Sequence, residues 1–211
     1  MFSNREAAGL LLADRLKSYI DAHAIVLAVP RGGVPVASAV ARKLNLPLQL
    51  VLTKKIGHPA NPEYAIGAAD TKDFFINAGT NIPEAYISSE VARVQGRLKE
   101  LANRCCGDIP QLSLKDRTVM IIDDGIATGR TLMASVHLIR KENPAKIIVA
   151  VPVAPIEAIN SLREVADQVV SLLVPRNFSG VGQFYEDFSQ VSDEEVSRLL
   201  HQHQSFNTVK E

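Results

Sequence analysis

VMIIDDGIATGRT, residues 119–131, runs four apolar side chains into two adjacent carboxylates and then into a loop of small residues that opens a helix. A continuous apolar run is the form taken by a strand covered on both faces. Successive side chains of a strand point to opposite sides, so at least one of Asp123 and Asp124 reaches past the sheet's end. Gly125, Ala127, Thr128 and Gly129 are small enough to let backbone N–H groups close on a ligand. The helix start at Thr131 adds free N–H groups and a dipole that favours phosphate. Carboxylates repel phosphate but accept hydrogen bonds from neutral hydroxyls. The stretch therefore predicts a clamp for a phosphorylated sugar, with acids for a ribose diol and backbone for a 5-phosphate.

The flanking sequence places this strand in a sheet. Residues 4–20 set Ala8, Leu11, Leu12, Leu16 and Tyr19 on one helical face, behind Ser3 or Asn4 as a cap. AIVLAV (24–29) is a second apolar strand, Val34 to Leu44 a short helix with Val36, Val40 and Leu44 inward, and LQLVLT (48–53) a third strand. YAIGAAD (64–70) and DFFIN (73–77) predict two short strands joined around Thr71-Lys72 at a sheet margin. Residues 83–105 carry Ile87, Val91, Val94, Leu98, Leu101 and Cys105 at alternating spacings, with Pro83 suited to the first turn of a helix. Beyond the motif come a helix with Leu132, Val136 and Ile139 inward, the strand KIIVAVPVA (146–154), a helix around 155–163 and the strand QVVSLLVP (168–175). A last helix starts at Ser192-Asp193, with Glu195 at the capping-box position. Apolar strands alternating with helices predict an α/β fold: an open, mainly parallel sheet with helices on both faces. Ligands of such sheets bind outside the carboxyl ends of the strands, where the strand order reverses.

Composition sets the bounds. The 211 residues are 46% hydrophobic and 22% charged, with no repeat and no Gly/Ser-rich linker. A single domain over 1–211 is expected, with its core at about 20–175 and a hood and C-terminal segment at about 174–211. Lys plus Arg and Asp plus Glu both number 23, so charge gives no argument for nucleic acid or an acidic membrane as partner. Without a stretch resembling a signal peptide, or an apolar run of about 18 residues, a cytoplasmic location is expected. Cys105 and Cys106 are adjacent, a poor geometry for a mutual disulfide, and no Cys/His spacing suggests zinc.

Over its whole length, the stretch 119–131 resembles the phosphoribosyl pyrophosphate (PRPP) motif of type I phosphoribosyltransferases: apolar residues, two acids, then a short loop ending in T-G-x-T. The resemblance implies a Rossmann-like three-layer fold. It implies that Asp123 and Asp124 bind the ribose hydroxyls while Gly125, Ala127, Thr128, Gly129, Arg130 and Thr131 cradle the 5-phosphate. Mg²⁺ would accompany the diphosphate beside Asp123 and Asp124, held largely through water and ribose oxygens rather than by an all-protein cage. PRGG (30–33) sits where the family has its pyrophosphate loop, with Gly32 and Gly33 exposing backbone N–H groups and Arg31 as a cation for the leaving diphosphate. Family members often have a non-proline cis peptide there, expected here at Pro30-Arg31 or Arg31-Gly32. Lys54 and Lys55 open the segment 54–66, which takes the place of the family's mobile catalytic loop, although Pro59 and Pro62 stiffen it. Within it His58 and Glu63 are either proton-transfer groups or surface residues.

The segment 174–188, VPRNFSGVGQFYEDF, loosely resembles the end of purine-salvage members. Phe178 would stack on a base with Tyr185 nearby, unless both close a core. Arg93 and Arg97 either reach a neighbouring subunit's site or lie on a solvated helical face; a homodimer is the family expectation. Ala127 stands where 6-oxopurine members carry an aspartate base, which argues against that acceptor class. The function implied is Mg²⁺-dependent transfer of a 5-phosphoribosyl group between PRPP and a nitrogenous acceptor, a nucleobase, with release of diphosphate. One alternative is a regulatory PRPP- or nucleotide-binding protein that keeps the fold. Another is a phosphatase-like hydrolase, for which a third acidic ligand is missing from the predicted strand ends.

Overall fold

In chain order the strands of the computed structural model are β1 (Ile25–Ala28), β2 (Leu48–Leu50), β3 (Lys54–His58), β4 (Asn61–Ala69), β5 (Phe74–Ile76), β6 (Thr118–Ile122), β7 (Lys146–Val153) and β8 (Gln168–Leu173). The helices are α1 (Arg5–Leu16), α2 (Gly33–Leu44), α3 (Glu84–Cys105), α4 (Arg130–Arg140), α5 (Ile156–Arg163) and α6 (Asp193–Thr208). The structure describes residues 1–21, 23–77, 79, 81–107 and 109–208, and the side chains of Glu63 and residues 205–208 lie outside that description.

Five strands form one sheet in the order β2-β1-β6-β7-β8, and every pairing is parallel. The strand of the motif is the central one, and all five of its residues are buried. The period of two sorts the strand side chains between two cores. Val26, Ala28, Met120, Ile122, Ile148 and Ala150 pack with Leu12 and Leu16 of α1, Val36 and Val40 of α2, and Val196 and Leu200 of α6. Ile25, Leu27, Val119, Ile121, Ile147 and Val149 pack with Leu132 and Val136 of α4 and Ile159 and Leu162 of α5. The expected α/β sheet with helices on both faces is therefore present. Among the described residues no helix is long and apolar enough to cross a membrane.

Two local expectations change. The first helix is shorter than predicted: the Asn4 side chain accepts from the Ala7 N–H at 2.9 Å, and α1 gives way to a 3-10 turn at Lys17–Tyr19. Leu11, placed on the buried face, is 53% exposed, because the buried face runs instead through Ala8, Gly9, Leu12, Ala13 and Leu16.

The larger correction concerns 54–66, which is a β-hairpin rather than a loop. β3, β4 and β5 form a separate antiparallel sheet, so the predicted pair 64–70 and 73–77 does not lie at the margin of the main one. Ile56 and Ile66 explain the order: both are fully buried against Val91, Val94 and Leu98 of α3. The two prolines fit, since Pro59 falls in the hairpin turn and Pro62 in a region where the β3–β4 register shifts, and neither position asks for a ladder N–H.

Candidate active site

The strand order reverses between β1 and β6, so the loops that follow these neighbouring strands meet at the sheet's carboxyl end. Their contact is close. The Val29 N–H donates to the Ile122 carbonyl at 2.8 Å, and the Pro30-Arg31 peptide is cis. A methyl group on Gly32 would lie 2.1 Å from Asp124 Oδ2, and one on Gly33 would lie 2.7 Å from the Ile122 carbonyl oxygen and 2.8 Å from Asp123 Cα. The glycines of PRGG thus let this loop rest directly on the paired acids, but the Gly33 N–H, expected to face a ligand, donates to the Val29 carbonyl at 3.0 Å because α2 starts there.

The two carboxyls have different surroundings. Asp124 is buried, and its Oδ2 accepts from Arg5 Nε at 2.8 Å. Its backbone carbonyl accepts from the Tyr185 hydroxyl at 2.6 Å. Asp123 is half-buried and its Oδ1 accepts the Asp124 N–H at 2.8 Å. Burial, and then the negative charge of Asp124 with which it shares a hydrogen bond, hold the Asp123 carboxyl well above the usual carboxylate range.

Beyond the acids the chain turns sharply. The Ile126 N–H is tied to the Val153 carbonyl at 2.9 Å, and Gly125 is boxed in by the Val181 side chain. Gly129 adopts φ 74°, a left-handed conformation that glycine takes without strain, and α4 begins at Arg130. Among the described residues no group accepts from the N–H of Ala127, Thr128, Gly129, Arg130 or Thr131. Ala127, Thr128, Arg130 and Thr131 are exposed, and this segment runs into the N-terminus of α4, a setting that suits an anion.

A cleft of about 950 Å³ opens beside the acids, lined by Arg31, Gly32, Lys54, Asp124 and Thr131 together with Arg97 and Arg104 of α3 and Phe188 of the C-terminal segment. Of the two predicted catalytic lysines only Lys54 lines it; Lys55 does not, because neighbouring residues of β3 face opposite ways. Arg31 lines the cleft while pairing through Nε with Asp193 Oδ1 at 2.6 Å, and Arg104 reaches the other oxygen at 3.2 Å. Arg97 faces this chain's own cleft, whereas Arg93 pairs with Glu90 one turn away.

Neither aromatic residue expected near a base lines this cleft. Tyr185 is buried and packs against Phe2, its hydroxyl spent on the Asp124 carbonyl, and burial pushes its phenol above the ordinary range. Phe178 stacks on Phe184 with ring centroids 5.8 Å apart, and neither lines the cleft. Phe188 lines it instead, with the Arg5 guanidinium 3.9 Å from its ring centroid. His58 Nδ1 accepts the Ala60 N–H at 3.1 Å, a turn contact away from the cleft, and the Glu63 side chain lies outside the described residues. Sequence reasoning missed Arg5, Arg104 and Phe188. Arg5 looks like any charged residue in the first turn of a surface helix, and its partner Asp124 is 119 residues away.

Among the described residues no group of three or more His, Cys, Asp and Glu side chains is arranged to hold a metal ion. Asp123 and Asp124 are two adjacent carboxyls, and Asp124 Oδ2 is already taken by Arg5, so a hard cation here would need most of its oxygens from a ligand or water.

A five-stranded parallel sheet whose switch point carries paired acids, a helix N-terminus and a glycine loop is the architecture of the type I phosphoribosyltransferase class. The family model described as phosphoribosyl transferase domain matches residues 5–189, and the chain belongs to that family. It is 36% identical over 205 residues to the Mycobacterium tuberculosis protein named "Putative phosphoribosyl transferase Rv0571c", covering 95% of this chain and 46% of that protein. The chain thus spans about half the length of the curated relatives it matches. Among solved structures, TT1426 from Thermus thermophilus superposes with a TM-score of 0.89 at 39% identity, covering 95% of this chain and 98% of the other. The AQ2163 protein from Aquifex aeolicus shares the fold, with a TM-score of 0.50 at 15% identity over 84% of this chain and 78% of its own.

Proposed function

We propose that this domain binds PRPP with Mg²⁺ and transfers its 5-phosphoribosyl group to a nitrogen of a small acceptor of the nucleobase type, releasing diphosphate. One observation supports the reading most: the PRGG loop rests on Asp123 and Asp124 so closely that only glycine fits, which brings the turn that carries Arg31 directly beside the acids. The unpartnered N–H groups of 127–131 complete the set on the other side. In this assignment the acids hold the ribose diol, the α4 N-terminus holds the 5-phosphate, and Arg31 and Lys54 gather on the departing diphosphate. When bound, Mg²⁺ would neutralise diphosphate charge beside the acid pair. Ala127 supplies no proton acceptor, so an acceptor nitrogen that needs no base at that position is favoured. Holding the reactants in line and stabilising leaving-group charge account for most of the expected rate.

Calorimetry with PRPP and Mg²⁺, followed by an assay for diphosphate release with a panel of bases, tests the proposal. Wild-type protein is expected to bind PRPP, and Asp123→Asn together with Asp124→Asn to weaken it by about two orders of magnitude. Unchanged affinity in that double variant sinks the ribose clamp. Binding without diphosphate release from any acceptor leaves a PRPP-binding regulator in place of a transferase.

A further inference from the structure

Arg5 is the first residue of α1, yet it is one of the best-anchored side chains of the cleft. Its side chain is 11% exposed and that of Asp124 13%, so the pair is shielded from the solvent that makes most surface ion pairs weak. Nη1 donates to the Ser189 carbonyl at 2.8 Å while Nε donates to Asp124 at 2.8 Å, and the guanidinium plane lies over Phe188. The backbone around it is fixed as well. The Phe2 N–H donates to the Phe184 carbonyl at 2.8 Å, and the N–H groups of Glu186 and Asp187 donate to Phe2 and Ser3 at 2.9 and 3.0 Å. The N-terminus and the C-terminal segment are thus laced together beneath the end of β6, and Arg5 emerges from that seam at one set distance from the acid.

We propose that Arg5 is a positioning residue of the phosphoribosyl site, holding the Asp124 carboxylate in the orientation that presents its other oxygen to the ribose diol. The inference rests on the PRPP reading above. Three contacts define the carboxylate: Arg5 takes Oδ2, the bare α-carbon of Gly32 blocks one side, and Tyr185 holds the backbone oxygen. Charge argues the same way. Two adjacent carboxylates beside a phosphate and a diphosphate would repel the ligand they are meant to grip, and a fixed cation on one of them offsets that repulsion. Arg is suited where Lys is not, because its planar fork serves the carboxylate, the Ser189 carbonyl and the Phe188 ring at once.

The test compares two ligands by calorimetry on the intact chain: ribose 5-phosphate, which needs the acids, and inorganic diphosphate, which needs the PRGG side of the cleft. Arg5→Ala is expected to weaken ribose 5-phosphate by at least about tenfold while diphosphate affinity stays within about threefold. Arg5→Lys, which keeps the charge without the fork, is expected to recover part of the loss. Should Arg5→Ala fail to fold, Arg5→Lys carries the same contrast, its loss confined to ribose 5-phosphate. Equal ribose 5-phosphate affinity in wild type and both variants overturns the inference, and so does an equal fall for both ligands, which would make Arg5 a general anion-attracting charge. Wild-type protein that binds neither PRPP nor ribose 5-phosphate overturns the phosphoribosyl reading itself, a result separable from the other two.

Discussion

Gly32 constrains the site more tightly than any charged residue in it. Any side chain there meets the Asp124 carboxylate at 2.1 Å, so the acid must swing away and leave Arg5 without its carboxylate partner, held only by the Ser189 carbonyl and the Phe188 ring. Gly32→Ala is therefore expected to cost about 1–3 kcal/mol of stability, as overpacking against a buried polar group does. It should also weaken PRPP binding; thermal melting and calorimetry measure the two effects, and a variant matching wild type in both would mean the loop yields freely. At this scale legibility followed locality. That the loop of Gly32 and Gly33, the acids Asp123 and Asp124 and the 125–131 loop would meet at the sheet's end was readable, because each is a short stretch at the end of an apolar strand. Arg5 and Phe188 were not, since only the folded chain brings them to Asp124. Tyr185 was legible as important but not in kind: an aromatic in a polar turn reads equally as a base platform and as a plug, and here it is buried with its hydroxyl on the backbone carbonyl of Asp124.

Among the elements, the three-stranded sheet β3-β4-β5 is where sequence and structure part most. Its hairpin was hidden because two prolines and a glycine break the alternation that announces a strand, and only the burial of Ile56 and Ile66 under α3 reveals why it forms. The elements of the main sheet were legible because each is a continuous apolar run bounded by a helix of clear period. Gly67 gives a handle on the smaller sheet. A methyl group there would approach the Phe75 carbonyl oxygen to 2.0 Å and Ile76 Cα to 3.0 Å, so Gly67→Ala should pry β5 from β4. Hydrogen exchange should then speed up across 54–76 while β6 and β7 stay protected. Uniform loss of protection through both sheets would show instead that the small sheet and the parallel one open as a single unit.

Taken whole, the molecule has no net charge, and that total concealed a cleft with Arg5, Arg31, Lys54, Arg97 and Arg104 on its walls. A sum over the chain carries no information on placement, which is why the electrostatic character of the site could not be read from composition. The C-terminal helix contributes to stability in a way that depends on pH. His203 of α6 is buried with Nε2 at 2.8 Å from the Leu46 carbonyl, and burial lowers its pKa below the ordinary 6.5, the hydrogen bond opposing only part of that shift. The neutral ring belongs to the folded state and the charged ring to the unfolded one. Its contribution is complete above about pH 6.5 and is lost as the pH falls from there toward the folded-state value, with a slope of at most about 1.4 kcal/mol per pH unit. Thermal melts from pH 8 to pH 5 should show this decline, and His203→Gln should flatten it; an identical pH dependence in the variant would assign the effect to other groups.

The bond from Arg5 to the Ser189 carbonyl joins residues 184 positions apart, and every strand of both sheets lies between them in the chain. A polypeptide leaving the ribosome makes its first helix within moments and then waits for the segment that pins it. Through nearly all of synthesis Asp124, once made, ends its strand without the carbonyl and the ring that fix Arg5 against it. The corner where Arg5 meets Asp124 is therefore closed only after every strand of both sheets has been made, and a chain cut before residue 184 keeps the whole of the 119–131 motif while losing the Ser189 carbonyl and the Phe188 ring that anchor Arg5.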